Sequence, residues 1–205
     1  MKIILENIGK RFNKEWIFRN ISYEFSGANK YSILGTNGSG KSTLLQIIAG
    51  SLTQTEGRIT YDAPALKGED NQSPFRDLGL AAPYLELAEE MTWRESVKFQ
   101  GKFTKFVSGF DAGQIINLSG LESSSEKEIR NFSSGMKQRA KLSLAILSDT
   151  PLLLLDEPAT NLDESSVKWY QNLIAEFAKE KLVIVCSNYN KEEYLFCEKS
   201  LVIGK

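Results

Sequence analysis

Histidine is absent from the 205-residue sequence, so no imidazole is available as a base or a metal ligand. Cysteine is scarce. Cys186 and Cys197 show no metal-ligand spacing, and Cys186 sits in an apolar run, which suits a reduced, cytosolic chain. No apolar run approaches the ~20 residues of a membrane-spanning helix, and the first residues carry no signal-peptide pattern. A charge surplus is also missing. With 25 basic and 26 acidic side chains the net charge is −1, which gives no reason to expect nucleic acid as a partner. The length that remains suits one compact domain, or a core with one subdomain, able to bury a sizeable core.

Against these absences stands one dense motif, Gly35-Thr36-Asn37-Gly38-Ser39-Gly40-Lys41-Ser42-Thr43. The apolar run Tyr31–Leu34 leads into it, and Leu44–Ala49 follows with helical character. This is the strand–loop–helix setting that the G-x-x-x-x-G-K-[ST] pattern requires. Gly35, Gly38 and Gly40 allow successive backbone N–H groups to point at phosphate oxygens. The helix begun near Lys41 adds the positive end of its dipole. Lys41 supplies a cation for the β- and γ-phosphates, and the Ser42 hydroxyl is placed to ligate Mg²⁺.

Taken in order, residues 2–25 suggest strands around Ile3–Ile8 and Trp16–Phe25, joined by a polar Gly9–Glu15 turn. Phe12, in that turn, reads by itself as a half-buried hairpin residue. A short strand at Arg58–Tyr61 precedes a turn-rich stretch, 62–76, expected as an exposed loop, and Leu78–Ala82 reads as a buried strand. Thr92-Trp-Arg-Glu95 is a capping box. Phe99, Phe103 and Phe106 follow at helical spacing and are expected on one core-facing helix face. Asp111–Gly120 reads as a further helix, and Ser123–Glu128 as a polar connector.

Residues 134–148 form another helix, and Ser133, Ser134 and Gly135 at its start make a second potential anion site. The unbroken run Leu152–Leu155 predicts a parallel strand buried on both faces, delivering Asp156 and Glu157 at its carboxyl end. Adjacent carboxylates there call for a compensating charge. The reading assigns Asp156 to the metal shell and Glu157 to positioning and deprotonating water. A helix near Glu164–Lys179, a strand Leu182–Cys186, a short helical stretch Lys191–Leu195 and a last strand Ser200–Ile203 complete the chain. The alternation implies an α/β fold: a mainly parallel sheet, an N-terminal antiparallel β portion, and a helical subdomain. The ATP-binding core would span about 1–82 and 149–205, and the helical subdomain about 83–148.

In order and spacing these parts resemble the ATP-binding subunit of an ABC (ATP-binding cassette) transporter, across the whole chain. Gly35–Ser42 matches the family's Walker A loop and Leu152–Glu157 its Walker B strand. Phe132–Met136 with Lys137-Gln138-Arg139 matches its signature, and Thr160–Asp163 its D-loop. The resemblance implies ATP and Mg²⁺ as cofactors and Phe12 as an aromatic that stacks on adenine. It also implies a head-to-tail homo- or heterodimer in which ATP lies between one Walker A loop and Ser133–Gly135 of the other cassette, with Asp163 in the D-loop. It further implies an ATPase, peripheral on the cytoplasmic face of the membrane, that drives a separate integral membrane subunit. The corresponding docking loop is Pro83–Met91.

Three departures stand out. Pro83 or Tyr84 occupies the position of a glutamine that neither can replace. Asn188 stands where the family has a histidine, and can hydrogen-bond a γ-phosphate without an ionisable proton. The signature has lost a glycine to Ser134 and a glutamine to Met136. Binding is therefore expected to survive, with hydrolysis slow or partner-dependent. The alternative is a nucleotide-gated binding module with little turnover in a non-transport assembly.

Overall fold

In a computed structural model, residues 1–62 and 78–204 are described. Of the expected 62–76 loop, only Asp62 falls within them. Strands β1 (Lys2–Phe12) and β2 (Glu15–Ser26) form an antiparallel hairpin, and β4 (Glu56–Asp62) pairs on the other edge of β1. The connecting turn is shorter than the Gly9–Glu15 segment expected. Phe12 pairs with Glu15, leaving only Asn13 and Lys14 between the strands. Asn13 takes φ 52°, a left-handed conformation that asparagine tolerates in two-residue hairpin turns. Register shifts between Leu5 and Ile8 and again around Lys10 let β1 twist through its charged, solvent-facing half without losing its partner.

The second sheet holds β3 (Lys30–Leu34), β5 (Leu78–Ala81), β6 (Leu152–Asp156), β7 (Leu182–Ser187) and β8 (Lys199–Val202), in the order β5-β6-β7-β3-β8. Every pairing within it is parallel. All five strands therefore end together: Leu34 pairs with Ser187 and Val202, Asp156 with Cys186, and Ala81 with Leu155. At that common edge the loops after β3, β5, β6 and β7 converge, as they do at ligand sites of open parallel sheets.

Side-chain alternation along β6 divides the interior in two. Leu152 and Leu154 point to one face with Leu44, Leu45, Ile48 and the antiparallel-sheet residues Ile3, Leu5 and Phe25. Leu153 and Leu155 point to the other with Trp93, Val97, Ile115, Leu142 and Ile174. All four leucines are fully buried, and each contributes about 1.5–3 kcal/mol by leaving water. The first face is covered by α1 (Lys41–Ile48). The second is covered by α2 (Trp93–Gln100), α3 (Ala112–Ser119), α4 (Ser134–Leu147) and α5 (Glu164–Phe177).

The capping box at Thr92 forms as expected: its hydroxyl accepts the Glu95 N–H at 3.2 Å, and Glu95 accepts the Thr92 N–H at 2.8 Å. The phenylalanine stripe does not. After Gln100 the chain turns back on itself, with the Phe103 and Thr104 N–H groups both bonded to the Gln100 carbonyl. Phe103 and Phe106 therefore fall off the helix. Phe99 and Phe103 are 47% and 72% exposed and meet edge-to-face at 5.0 Å, while only Phe106 is buried.

Candidate nucleotide site

The glycine-rich loop lies between β3 and α1 at the common sheet edge. Gly40 has φ +97°, and a Cβ there would come within 2.6 Å of Ile17 and 2.7 Å of Phe18. At Gly35 a Cβ would meet the Ile203 carbonyl and the Ser39 hydroxyl at 2.4 Å each. Space requires glycine at both, and backbone strain requires it again at Gly40. Because Gly40 begins α1, the helix starts with no side-chain cap and its first-turn N–H groups stay available. Lys41, 5% exposed, folds back so that its ammonium donates to the Gly35 (2.9 Å) and Thr36 (3.1 Å) carbonyls. The outcome is a cavity of about 480 Å³ running along Asn37, Gly38 and Gly40 to Thr43, with Ile17 and Glu157 in its walls. Ser39 is buried behind it, its N–H on the Thr36 carbonyl at 3.1 Å.

Asp156 ends β6 at 1% exposure, and neither carboxylate oxygen has a hydrogen-bond partner. Burial pushes its pKa up. The nearby Ser42 hydroxyl opposes the shift, the charge of Glu157 adds to it, and Lys41 opposes it again. A buried carboxylate without partners near the Ser42 hydroxyl fits a hard divalent cation. The pair falls short of a self-contained cage, and no larger metal cluster occurs among the described residues. That shortfall suits Mg²⁺ arriving with nucleotide phosphates as further ligands. Glu157 follows with φ 46°, unusual for a side-chain-bearing residue, its N–H bonded to the Cys186 carbonyl at 2.9 Å. That bend turns the half-buried carboxylate into the phosphate cavity.

A second cavity, about 540 Å³, opens at the start of α4 and includes Ser133, Ser134, Gly135, Arg139, Asn161 and Asp163. Ser133 caps the helix, its hydroxyl accepting the Met136 N–H at 3.2 Å. Asp163 is similarly engaged: its Oδ1 accepts the Ser166 N–H at 2.8 Å and caps α5, and these bonds hold its pKa down. Gln138 donates to the Pro158 carbonyl at 2.9 Å, tying α4 to the turn after Glu157. The two cavities share no lining residue.

The remaining expected residues stand apart. Phe12, at the hairpin tip, is 47% exposed, with the Lys10 ammonium 4.8 Å from its ring, and does not line the phosphate cavity. Trp16, across the hairpin, is occupied by the Arg11 and Arg19 guanidinium groups, at 5.2 and 4.3 Å. Asn188 is exposed after β7 and also lies outside that cavity.

One other residue lies near the site unannounced by the sequence. Glu193, 3% exposed, accepts the Ala159 N–H at 3.2 Å, and burial raises its pKa. In sequence it is one of two consecutive glutamates in a short helical stretch, and nothing marks it as the buried one. Tyr84, at the position where the sequence lacks the glutamine, follows β5; burial first, then the charge of Asp156, pushes its phenol up to about 12.

A family model described as ABC transporter matches residues 18–160, which include the glycine-rich loop, the α4 start and Asp156-Glu157. The chain belongs to the ABC transporter family. It is an ATP-binding cassette of that family and an ATPase. Over 95% of its length the cassette is 32% identical to the ABC transporter ATP-binding protein YybJ of Bacillus subtilis (strain 168), covering 89% of that protein. It is 26% identical over 90% of its length to the lantibiotic transport ATP-binding protein SrtF of Streptococcus pyogenes, covering 79% of it. Its fold is that of MJ0796, a bacterial ABC transporter cassette solved as a dimer: TM-score 0.82, 24% identity, covering 98% of this chain and 94% of the other.

Proposed function

We propose that this cassette binds Mg²⁺–ATP in the β3–α1 cavity and closes on a second cassette, a copy of itself or a related chain, to power a separate integral membrane subunit. The observation that carries the reading is Asp156: a buried carboxylate without hydrogen bonds, beside Ser42 and Lys41, at the mouth of a glycine-rich loop. The loop N–H groups of Gly35 to Thr43 cradle the phosphates, Lys41 meets the β- and γ-oxygens, and Ser42 with Asp156 holds the cation. When bound, the cation neutralises charge that develops on the phosphates. Glu157 orients the attacking water and takes its proton. Phe12 stacks on the adenine ring, and Asn188 hydrogen-bonds the γ-phosphate.

The second cavity supports the dimer. Ser133, Ser134 and Gly135 face outward at a helix start, and Asp163 lies beside them, ready to meet a nucleotide held by the other cassette. The division into a core of about 1–82 and 149–205 with a helical subdomain of about 83–148 gives the closure its moving parts. The membrane subunit docks at the groove beside Pro83–Met91, where Leu85, Glu86 and Leu87 meet Lys141 and exposed Tyr84 adds apolar surface. That places the cassette on the cytoplasmic face of the membrane. Among the described residues no helix is long and apolar enough to cross it. Without a histidine at Asn188, turnover is slow or depends on the partner.

Purification of the tagged cassette from detergent-solubilised membranes should recover an integral membrane subunit in stoichiometric amount. Recovery of soluble partners alone would overturn the coupling role.

A further inference from the structure

Glu157 opens a β-turn: the Thr160 N–H bonds the Glu157 carbonyl at 3.1 Å, with Pro158 and Ala159 between them. The central peptide of such a turn can face either way, and the common turn types differ by its flip. On an exposed turn its carbonyl and N–H bond water. Here Pro158 and Ala159 are both buried, so these two groups need partners within the protein. Each finds one. The Gln138 amide donates to the Pro158 carbonyl at 2.9 Å, and the Glu193 carboxylate accepts the Ala159 N–H at 3.2 Å. One peptide is therefore gripped at both polar edges by buried side chains from two separate parts of the chain.

Both grips are themselves fixed. Gln138 belongs to α4, whose inner face is packed into the core. The Glu193 backbone carbonyl accepts the hydroxyl of fully buried Tyr170 on α5 at 2.9 Å, and the Glu192 carbonyl accepts the Gln171 amide at 2.9 Å. Ahead of the turn, the Glu157 N–H is held by the Cys186 carbonyl at 2.9 Å. Its φ of 46° is a conformation that persists only where the surroundings impose it. The strand imposes it from one side and the gripped peptide from the other. We propose that Gln138 and Glu193 are positioning residues which clamp the Pro158–Ala159 peptide from opposite edges and so hold the Glu157 carboxylate in the phosphate cavity. The clamp rests on the role proposed above for Glu157 and deepens it.

The test is phosphate release by the whole chain at saturating Mg²⁺–ATP, with ATP affinity measured alongside by calorimetry. Glu193→Ala frees the Ala159 N–H and should lower kcat about ten- to a hundredfold, the scale of a misplaced reacting group. KM and affinity should stay within about twofold of wild type. Glu193→Gln keeps an acceptor oxygen and should hold kcat within about threefold of wild type. Gln138→Ala should match Glu193→Ala, and makes the same test if that variant does not fold. The double variant should fall little further than either single one, since either loss frees the same peptide. In a Glu157→Gln background, Glu193→Ala should change the residual release by less than about twofold. Unchanged kcat in both alanine variants would overturn the proposal. So would an equal fall in Glu193→Gln, or an undiminished effect of Glu193→Ala in the Glu157→Gln background. Equal release by wild type and Glu157→Gln would remove the base itself, and with it the reading beneath the clamp.

Discussion

Two helices of this cassette start at loops of glycine and serine, and they start in opposite ways. At α1 the first residue follows a left-handed glycine, no side chain caps the N–H groups, and a buried lysine lies against the loop carbonyls. At α4 the serine ahead of the helix already bonds its third N–H, and the neighbouring Asp163 is spent on capping α5. The first start has its own cation and, from β6, its own carboxylates. The second has hydroxyls, backbone and Arg139, whose guanidinium is held by the Ser119 carbonyl at 3.0 Å and stacked on Trp169. One start is equipped to host a nucleotide, and the other only to complement one. On the proposed function, a second chain would bring the two together.

The largest effect that sharpens this contrast comes from Glu157. Glu157→Gln should lower phosphate release by about a hundredfold or more, the scale of a lost general base, and leave ATP affinity within about twofold. Equal release by wild type and variant would favour the binding-module reading. Next is Asp156→Asn, which should weaken Mg²⁺-dependent ATP binding about tenfold or more, as titration calorimetry would show. The same change should stabilise the nucleotide-free protein.

The sign of that second effect follows from burial. Asp156 has its folded-state pKa raised, so the folded chain binds this proton more tightly than the unfolded chain. The stability this contributes is fully present below the unfolded pKa and is lost as pH rises through the folded value. The advantage of asparagine should therefore be largest above the folded pKa and vanish below the ordinary carboxylate range. Each kcal/mol would appear as about 2–4 °C in Tm for a chain of this size. A Tm difference that does not change with pH would contradict the uncompensated carboxylate.

Smaller effects test the periphery. Phe12→Ala should weaken ATP about five- to tenfold and leave inorganic triphosphate unchanged, since only the base offers a face to stack on. Equal losses for both ligands would make Phe12 a hairpin residue and nothing more. Ser133→Ala should cost about 1 kcal/mol of stability through the lost cap, read by urea denaturation, with ATP binding to the isolated chain unchanged. A fall in that binding would break the separation of the two helix starts.

What could be read from sequence was what local chemistry dictates. The glycine-rich loop, the Thr92 box and the leucine run of β6 each rest on a few adjacent residues, and all take the expected form. What could not be read depends on where the chain goes next. The spacing of Phe99, Phe103 and Phe106 is helical only while a helix continues, and the turn after Gln100 ends it. Lys10 and Arg11 look like a loop until the twisted hairpin shows that a solvent-facing strand tolerates them. Glu193 carries no local signal at all. It comes near the site through the buried backbone N–H of Ala159, which links residues far apart in the chain.

The claim that one helix start hosts the nucleotide and the other only complements it is tested most directly by ATP calorimetry on the isolated chain, at concentrations where it is monomeric. Lys41→Ala should abolish binding, whereas Ser134→Glu, which places a negative charge at the second start, should bind one ATP per chain with wild-type affinity. Retained binding in Lys41→Ala, or comparable loss in Ser134→Glu, would contradict it.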